Sequence, residues 1–271
     1  MLITNKNDVK NNLPPEARLL DQALELGSLY ADRADFDSAI QNLSLAADGY
    51  SARKNFPAYL KCQNLLLRIY AEMENFTQIK NVKEKLQDLV LKEGFELNSK
   101  TYYTLSLCAA YRDQNETALE YLQKSLAIAL ATDNKEDICF AINGLAICYQ
   151  NLGKSAEALR EIYNLQVFFQ VLDLPEVRIS SQLLNVKILC ESKKFDQALE
   201  VLWQTYEYLK TTKALNRHVH LLFELGRTYL AAGDKDLART YLTLASKTVD
   251  SKNMVRLSRM IMDTLKEHGV D

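Results

Sequence analysis

One position returns along this chain at Ala39, Ile79, Ala118, Ala158, Ala198 and Ala238, with spacings of 40, 39, 40, 40 and 40 residues. A fixed period of that size is the strongest constraint on what the chain can fold into. It marks helical hairpins that cannot bury their apolar faces alone and therefore stack into an array. Arrays of this kind present a long concave surface, so binding of another protein or a peptide is the first functional expectation.

The period covers nearly all of the 271 residues, which predicts one continuous array. First helices are expected over roughly 15–33, 57–73, 98–112, 135–151, 175–191 and 214–231. Second helices are expected over roughly 36–53, 76–93, 115–131, 155–172, 195–211 and 235–250. Residues 1–13 read as a flexible N-terminus, 14–251 as six repeats, and 252–271 as a capping helix and tail. Pro14 and Pro15 suit a first helical turn, and Gly269 suits a helix stop. Stop or cap signals fall at Ala34-Asp35, Glu74-Asn75, Gln114-Asn115, Gly153-Lys154-Ser155 and Gly233-Asp234. With only 8 Gly and 4 Pro, the composition fits helices joined by short turns. On the last helix, Met254, Leu257, Ile261 and Leu265 share one face as a cap requires, leaving Arg256, Arg259 and Lys266 for water.

A net charge of −2 with interspersed signs argues against nucleic acid or an anionic membrane as partner. No run of 18 apolar residues exists, and residues 1–20 lack the apolar core of a secretory signal. Cys62, Cys108, Cys139, Cys148 and Cys190 show neither metal-ligand nor redox spacing and read as buried thiols in a reducing compartment. A cytoplasmic location is expected. His218 and His220 point about 200° apart on a helix and cannot share a metal. No nucleophile–base set or Gly-rich phosphate loop stands out, so the expectation is a non-enzyme with no metal and no cofactor. The aromatic groups Tyr163, Phe168, Phe169 and Trp203, Tyr206, Tyr208 are expected mostly in the core between hairpins.

The register within a repeat is more specific. Leu26-Gly27 precedes Tyr30, Ala39 and Leu43; Leu145-Ala146 precedes Tyr149, Ala158 and Ile162; Leu225-Gly226 precedes Tyr229, Ala238 and Leu242. Small residues at Gly27 and Gly226, and at the recurring alanine, let the two helices of a hairpin approach closely. This pattern resembles the tetratricopeptide repeat. Repeats two and five depart from it, with Leu67 and Val186 for the Gly, Ile79 for an Ala, and Leu189 for the Tyr. In repeat three, Ser106 and Ala109 take the corresponding places and Tyr111 falls two residues late. The usual tetratricopeptide period is about 34, and about 40 is nearer to HEAT repeats, but the small-residue pattern favours the former. The longer period resembles the elongated-helix varieties of Rap-type and Pins-type arrays. Six extra residues add roughly 9 Å of helix per repeat and deepen the groove.

The resemblance implies an all-α, right-handed solenoid whose first helices line the concave face. Carried over by register, the ligand-facing stripe is Lys61, Asn64 and Arg68, then Lys100 and Tyr103, then Asn143 and Ile147, then Leu183 and Lys187, then His220, Phe223 and Arg227. The first repeat adds Asp21, Glu25 and Ser28. Lysines and arginines in the stripe suggest a basic middle for an acidic or carboxylate-bearing peptide or helix. Asn64 and Asn143 suit a peptide backbone, and Tyr103, Ile147, Leu183 and Phe223 suit apolar anchors. The competing expectation pairs these cations with Glu72, Glu191 and Glu224 inside the groove. Peptide-sensing regulators of this type often carry an N-terminal effector domain. The repeats here begin near residue 15, which favours a plain adaptor or scaffold. Self-assembly, as a homodimer through terminal helices, and a peptide-sensing regulator are the alternatives.

Overall fold

The computed structural model describes residues 15–33, 35–211, 216–249 and 254–269; the segment 1–13 lies outside them, as do the expected helix starts at 214 and 252. Among the described residues every regular element is an α-helix. These are α1 (Pro15–Asp32), α2 (Phe36–Ala52), α3 (Phe56–Glu72), α4 (Phe76–Glu93), α5 (Ser99–Ala110), α6 (Asn115–Ala131) and α7 (Lys135–Asn151). They continue as α8 (Ser155–Phe168), α9 (Pro175–Glu191), α10 (Phe195–Lys210), α11 (Asn216–Ala232), α12 (Lys235–Thr248) and α13 (Val255–Glu267). The architecture is the right-handed α-solenoid type, built from successive hairpins and a final single helix. The chain divides into two compact units, Met1–Leu97 with α1–α4 and Asn98–Asp271 with α5–α13.

Helix starts are written in the sequence. Asp35, Asn55, Asn75, Asn98, Asn134 and Asp234 each accept a backbone N–H three residues on. A cap of this kind stabilises a helix by about 1 kcal/mol. Helix ends share one device as well. Lys54, Glu74, Asp113, Asp133, Gly153, Lys193 and Gly233 all take positive φ, so one left-handed turn serves both within and between hairpins. Gly153 and Gly233 adopt it without steric cost, whereas Lys193 at φ 58° carries a Cβ penalty.

The recurring position does what its size predicts. Ala39, Ala158, Ala198 and Ala238 are fully buried, and Ile79 and Ala118 nearly so. A Cβ on Gly27 would lie 2.6 Å from the Leu43 side chain and 3.2 Å from its backbone nitrogen. At Gly226 the same distances to Leu242 are 2.6 and 3.1 Å, so both glycines sit where two helices touch. Tyr229 then stacks on Tyr241 at 5.6 Å.

In the second unit no single core exists. Ala109, Ala118, Leu122, Leu145 and Cys148 join α5–α7; Ala146, Ala158, Ile162, Leu184 and Ile188 join α7–α9. Ile179, Leu202, Leu209, Leu221 and Leu225 join α9–α11. First helices also pack on one another, α5 on α7, α7 on α9 and α9 on α11, while second helices share no comparable packing. The first helices therefore lie at smaller radius and line the inner side. In the first unit α1 likewise packs on α3.

The cap helix α13 seats Leu257, Ile261 and Leu265 against Val219, Leu222 and Phe223 of α11 and Leu242 and Ala245 of α12. Two expectations need correction. Arg256 is half-buried where full exposure was expected: its guanidinium lies 5.0 Å from the Tyr111 ring centre. And α8 stops at Phe168, short of residue 172, where the Arg178 guanidinium donates to the Phe169 carbonyl at 2.6 Å and holds the turn. Of the aromatic groups expected mostly in the core, Tyr163 is the exposed remainder, at 75%.

Substituting Gly226→Ala should lower stability by about 1–3 kcal/mol, since both a side chain and a backbone atom stand in the way. Lys193→Gly should raise it slightly, by roughly 0.5 kcal/mol, as relief of the left-handed strain exceeds the entropy cost. Urea titration followed by circular dichroism checks both; a neutral Gly226→Ala would contradict the close-packing account.

Candidate functional site

In the first unit, α3 carries Lys61, Asn64 and Arg68 on one face of the helix. Lys61 reaches a cavity of about 500 Å³ whose other walls are Asp21, Leu24, Glu25, Ser28, Leu29 and Asp32 of α1. The expected acidic set and Lys61 are thus brought together, and Lys61 stands among carboxylates. Asp21 accepts the Tyr50 hydroxyl at 2.5 Å. Burial first, then that carboxylate, hold the Tyr50 hydroxyl pKa well above its ordinary value. Asn64 is 9% exposed and its Oδ1 has no partner. Arg68 is exposed and makes no ion pair among the described residues.

The second unit carries the rest of the stripe on α5, α7, α9 and α11. Lys100 lies 3.7 Å from Glu136, an exposed pair of little energetic weight. Tyr103 tilts against Phe140 at 5.5 Å, and Ile147 and Leu183 are half-buried against the core. Asn143 is 3% exposed; its Nδ2 donates to Ser180 Oγ at 3.1 Å and its Oδ1 has no partner. Lys187 is half-buried on α9 and acts electrostatically on Glu224. Arg227 donates to Glu224 at 3.1 Å and stacks over the Phe223 ring at 5.6 Å. Burial raises the Glu224 carboxyl pKa, and Arg227 and Lys187 act against that rise.

Phe223 is the site residue the structure takes away. It is 2% exposed and lies under α13, so it serves the core where an apolar anchor was expected. The evenly basic middle is also modified: Lys61, Lys100 and Arg227 have carboxylates beside them, leaving Arg68 and Lys187 as the stripe cations without an ion pair among the described residues. Sequence reading missed Gln150, Ser180 and Gln63. Gln150 Nε2 donates to Glu191 at 2.5 Å while its Oε1 stays unpaired, as does that of Gln63. The signal was present, since Gln150 follows Asn143 by two helical turns on the same face.

The thiols are inert by environment. Burial pushes Cys62 up to about 12 and Cys139 to about 11, and no disulfide forms among the described residues. No helix among the described residues is long and apolar enough to cross a membrane.

The fold is of the tetratricopeptide type, a helical-repeat solenoid. No family model and no curated protein sequence matches the chain. Solved structures do. NprR in complex with its cognate peptide NprX aligns with a TM-score of 0.75 at 14% identity, covering 97% of this chain and 76% of that one. The apo form of the quorum sensor NprR from B. thuringiensis gives 0.64 at 13% identity over 96% of this chain and 74% of that one. The apo form of RapI gives 0.61 at 13% identity, over 93% and 73%. The likeness spans the Rap-type repeat fold that the long period suggested.

His220 supplies a pH test. Burial and then the Arg217 charge lower its pKa from 6.5 to about 4. The neutral ring is the form the fold accepts, so its contribution is full above pH 6.5 and is lost as pH falls through about 4. The raised carboxyl pKa values of Glu224 and Asp137 act in the opposite sense, favouring the fold as pH falls. The stability difference between the natural chain and His220→Gln should therefore shrink by roughly 1–2 kcal/mol between pH 7 and pH 4, allowing for a partly exposed ring. A difference that does not move with pH would contradict this assignment.

Proposed function

We propose that this protein is a peptide- or protein-binding adaptor whose inner helices receive an extended segment of a partner. The observation that carries the reading is Asn143: a carboxamide almost wholly withdrawn from water, with its nitrogen engaged by Ser180 and its oxygen idle. An unmet buried acceptor costs about 1–3 kcal/mol. A small rotation of the side chain turns that oxygen to the groove, where a ligand backbone N–H recovers the loss. Asn64 presents the same unmet oxygen in the first unit. The peptide NprX bound to NprR, a protein of the same fold, supports this kind of ligand.

The ligand of this reading is acidic or carries a free carboxylate and lies along the second unit, with Lys187 supplying positive charge and Lys100, His220 and Arg227 forming polar walls. Tyr103, Ile147 and Leu183 of the same unit hold apolar side chains. The protein acts in the cytoplasm as a binding component and performs no chemistry of its own. A second reading, self-assembly, is favoured by Leu159, Tyr163 and Val167, which expose 42%, 75% and 64% of their surface at successive turns of α8.

The test is selection of binders from a random linear peptide library, followed by titration of the best binder. Lys187→Glu should weaken it at least about tenfold, and raised salt should do the same. Undiminished binding by this variant would overturn the acidic-ligand reading. Sedimentation across a concentration series addresses the second reading: a concentration-dependent dimer lost on Tyr163→Asp would favour it, and a monomer throughout would remove it.

A further inference from the structure

The second unit begins with α5 and ends with α13, and a ring–guanidinium contact joins these two ends. Tyr111 follows directly on α5, Arg256 is the second residue of α13, and they stand 145 residues apart in the sequence. Their guanidinium and ring lie 5.0 Å apart, with both side chains half-buried while Arg112, Asp113 and Arg259 around them stay exposed. Three hairpins, α7–α8, α9–α10 and α11–α12, lie between the hairpin of Tyr111 and α13, so the stack exists only when the unit curls until its first and last elements meet.

The seat of α13 is narrow. It rests on Val219, Leu222 and Phe223 through Leu257, Ile261 and Leu265, and leaves Met260 and Met262 40% and 45% exposed. Phe223 is shared: α13 covers it, and Arg227, which holds Glu224 beside Lys187, stacks on the same ring. The cap is thus in direct contact with the residue that supports the groove cations.

We propose that α13 is a strap closing the inner face of the second unit, and that the Arg256–Tyr111 stack is its clasp. With the clasp made, the ends of the unit are held together; with it broken, α13 swings with the last hairpin and the inner face opens. That opening admits and releases ligand is a consequence that rests on the peptide-binding reading above, whereas closure itself does not.

The test uses the full chain without ligand. Spin labels at Glu120→Cys on α6 and Met260→Cys on α13, both exposed positions, report the end-to-end distance. The chain without these two cysteines gives the background from its own poorly accessible thiols. The natural pair should give one short, narrow distance. Arg256→Ala and Tyr111→Leu should each reduce the closed fraction about fivefold, as loss of a partly exposed cation–π contact implies. Tyr111→Phe, which keeps the ring face, should leave the distance unchanged. Arg256→Gln repeats the charge loss with a side chain of similar length, in case the alanine variant disturbs the helix. An unchanged distance in Arg256→Gln and Tyr111→Leu would overturn the clasp. So would opening by Tyr111→Phe as large as by Tyr111→Leu.

Discussion

The closeness of the two helices in each hairpin governs everything built on it. A methyl group at Ala39, Ala158, Ala198 or Ala238, wholly out of water, sets how near the partner helix comes. Gly27 and Gly226 complete the contact from the other side, with Leu43 and Leu242 filling the space a Cβ would need. A hairpin joined this closely has one apolar face left over, and only the next hairpin can cover it. Stacking follows from that, and with it a core broken into clusters that each span neighbouring hairpins. Stability in such an array is the sum of local terms, so a terminal face needs a lid. Leu257, Ile261 and Leu265 of α13 supply it.

The same packing creates the inner face. First helices lie against first helices, which puts their outward residues on the inner side and crowds polar groups into it. Carboxamides and hydroxyls at this seam make cross-helix bonds, Asn143 to Ser180 and Gln150 to Glu191, but the fixed spacing of the helices leaves some acceptors unmet. Four side-chain oxygens of this kind, on Gln63, Asn64, Asn143 and Gln150, fall on α3 and α7.

The fold was legible because its determinants are local. Period, caps and left-handed turns are each written within a few residues, so α1–α13 fall close to their expected bounds. The site was legible only in outline. Register located Asn64 and Asn143 on the inner face, since position on a helix depends on neighbours in the sequence. Pairing depends on neighbours in space. Glu136 stands near Lys100 because α5 and α7 are parallel, and Glu224 takes Arg227 across one turn of α11. Phe223 and Arg256 were misjudged for a related reason. The cap sits where a further repeat would stack, and no pattern in the sequence says that Tyr111 lies within reach of Arg256.

The central claim is that the inner helices are the binding surface. Amide hydrogen exchange of the full chain, with and without a peptide selected from a random library, tests it most directly. The account predicts new protection on α7, α9 and α11, around Asn143 and Lys187, with α8, α10 and α12 little changed. Protection centred on Tyr163 and the exposed side of α8, with α7 and α9 unaltered, would contradict it.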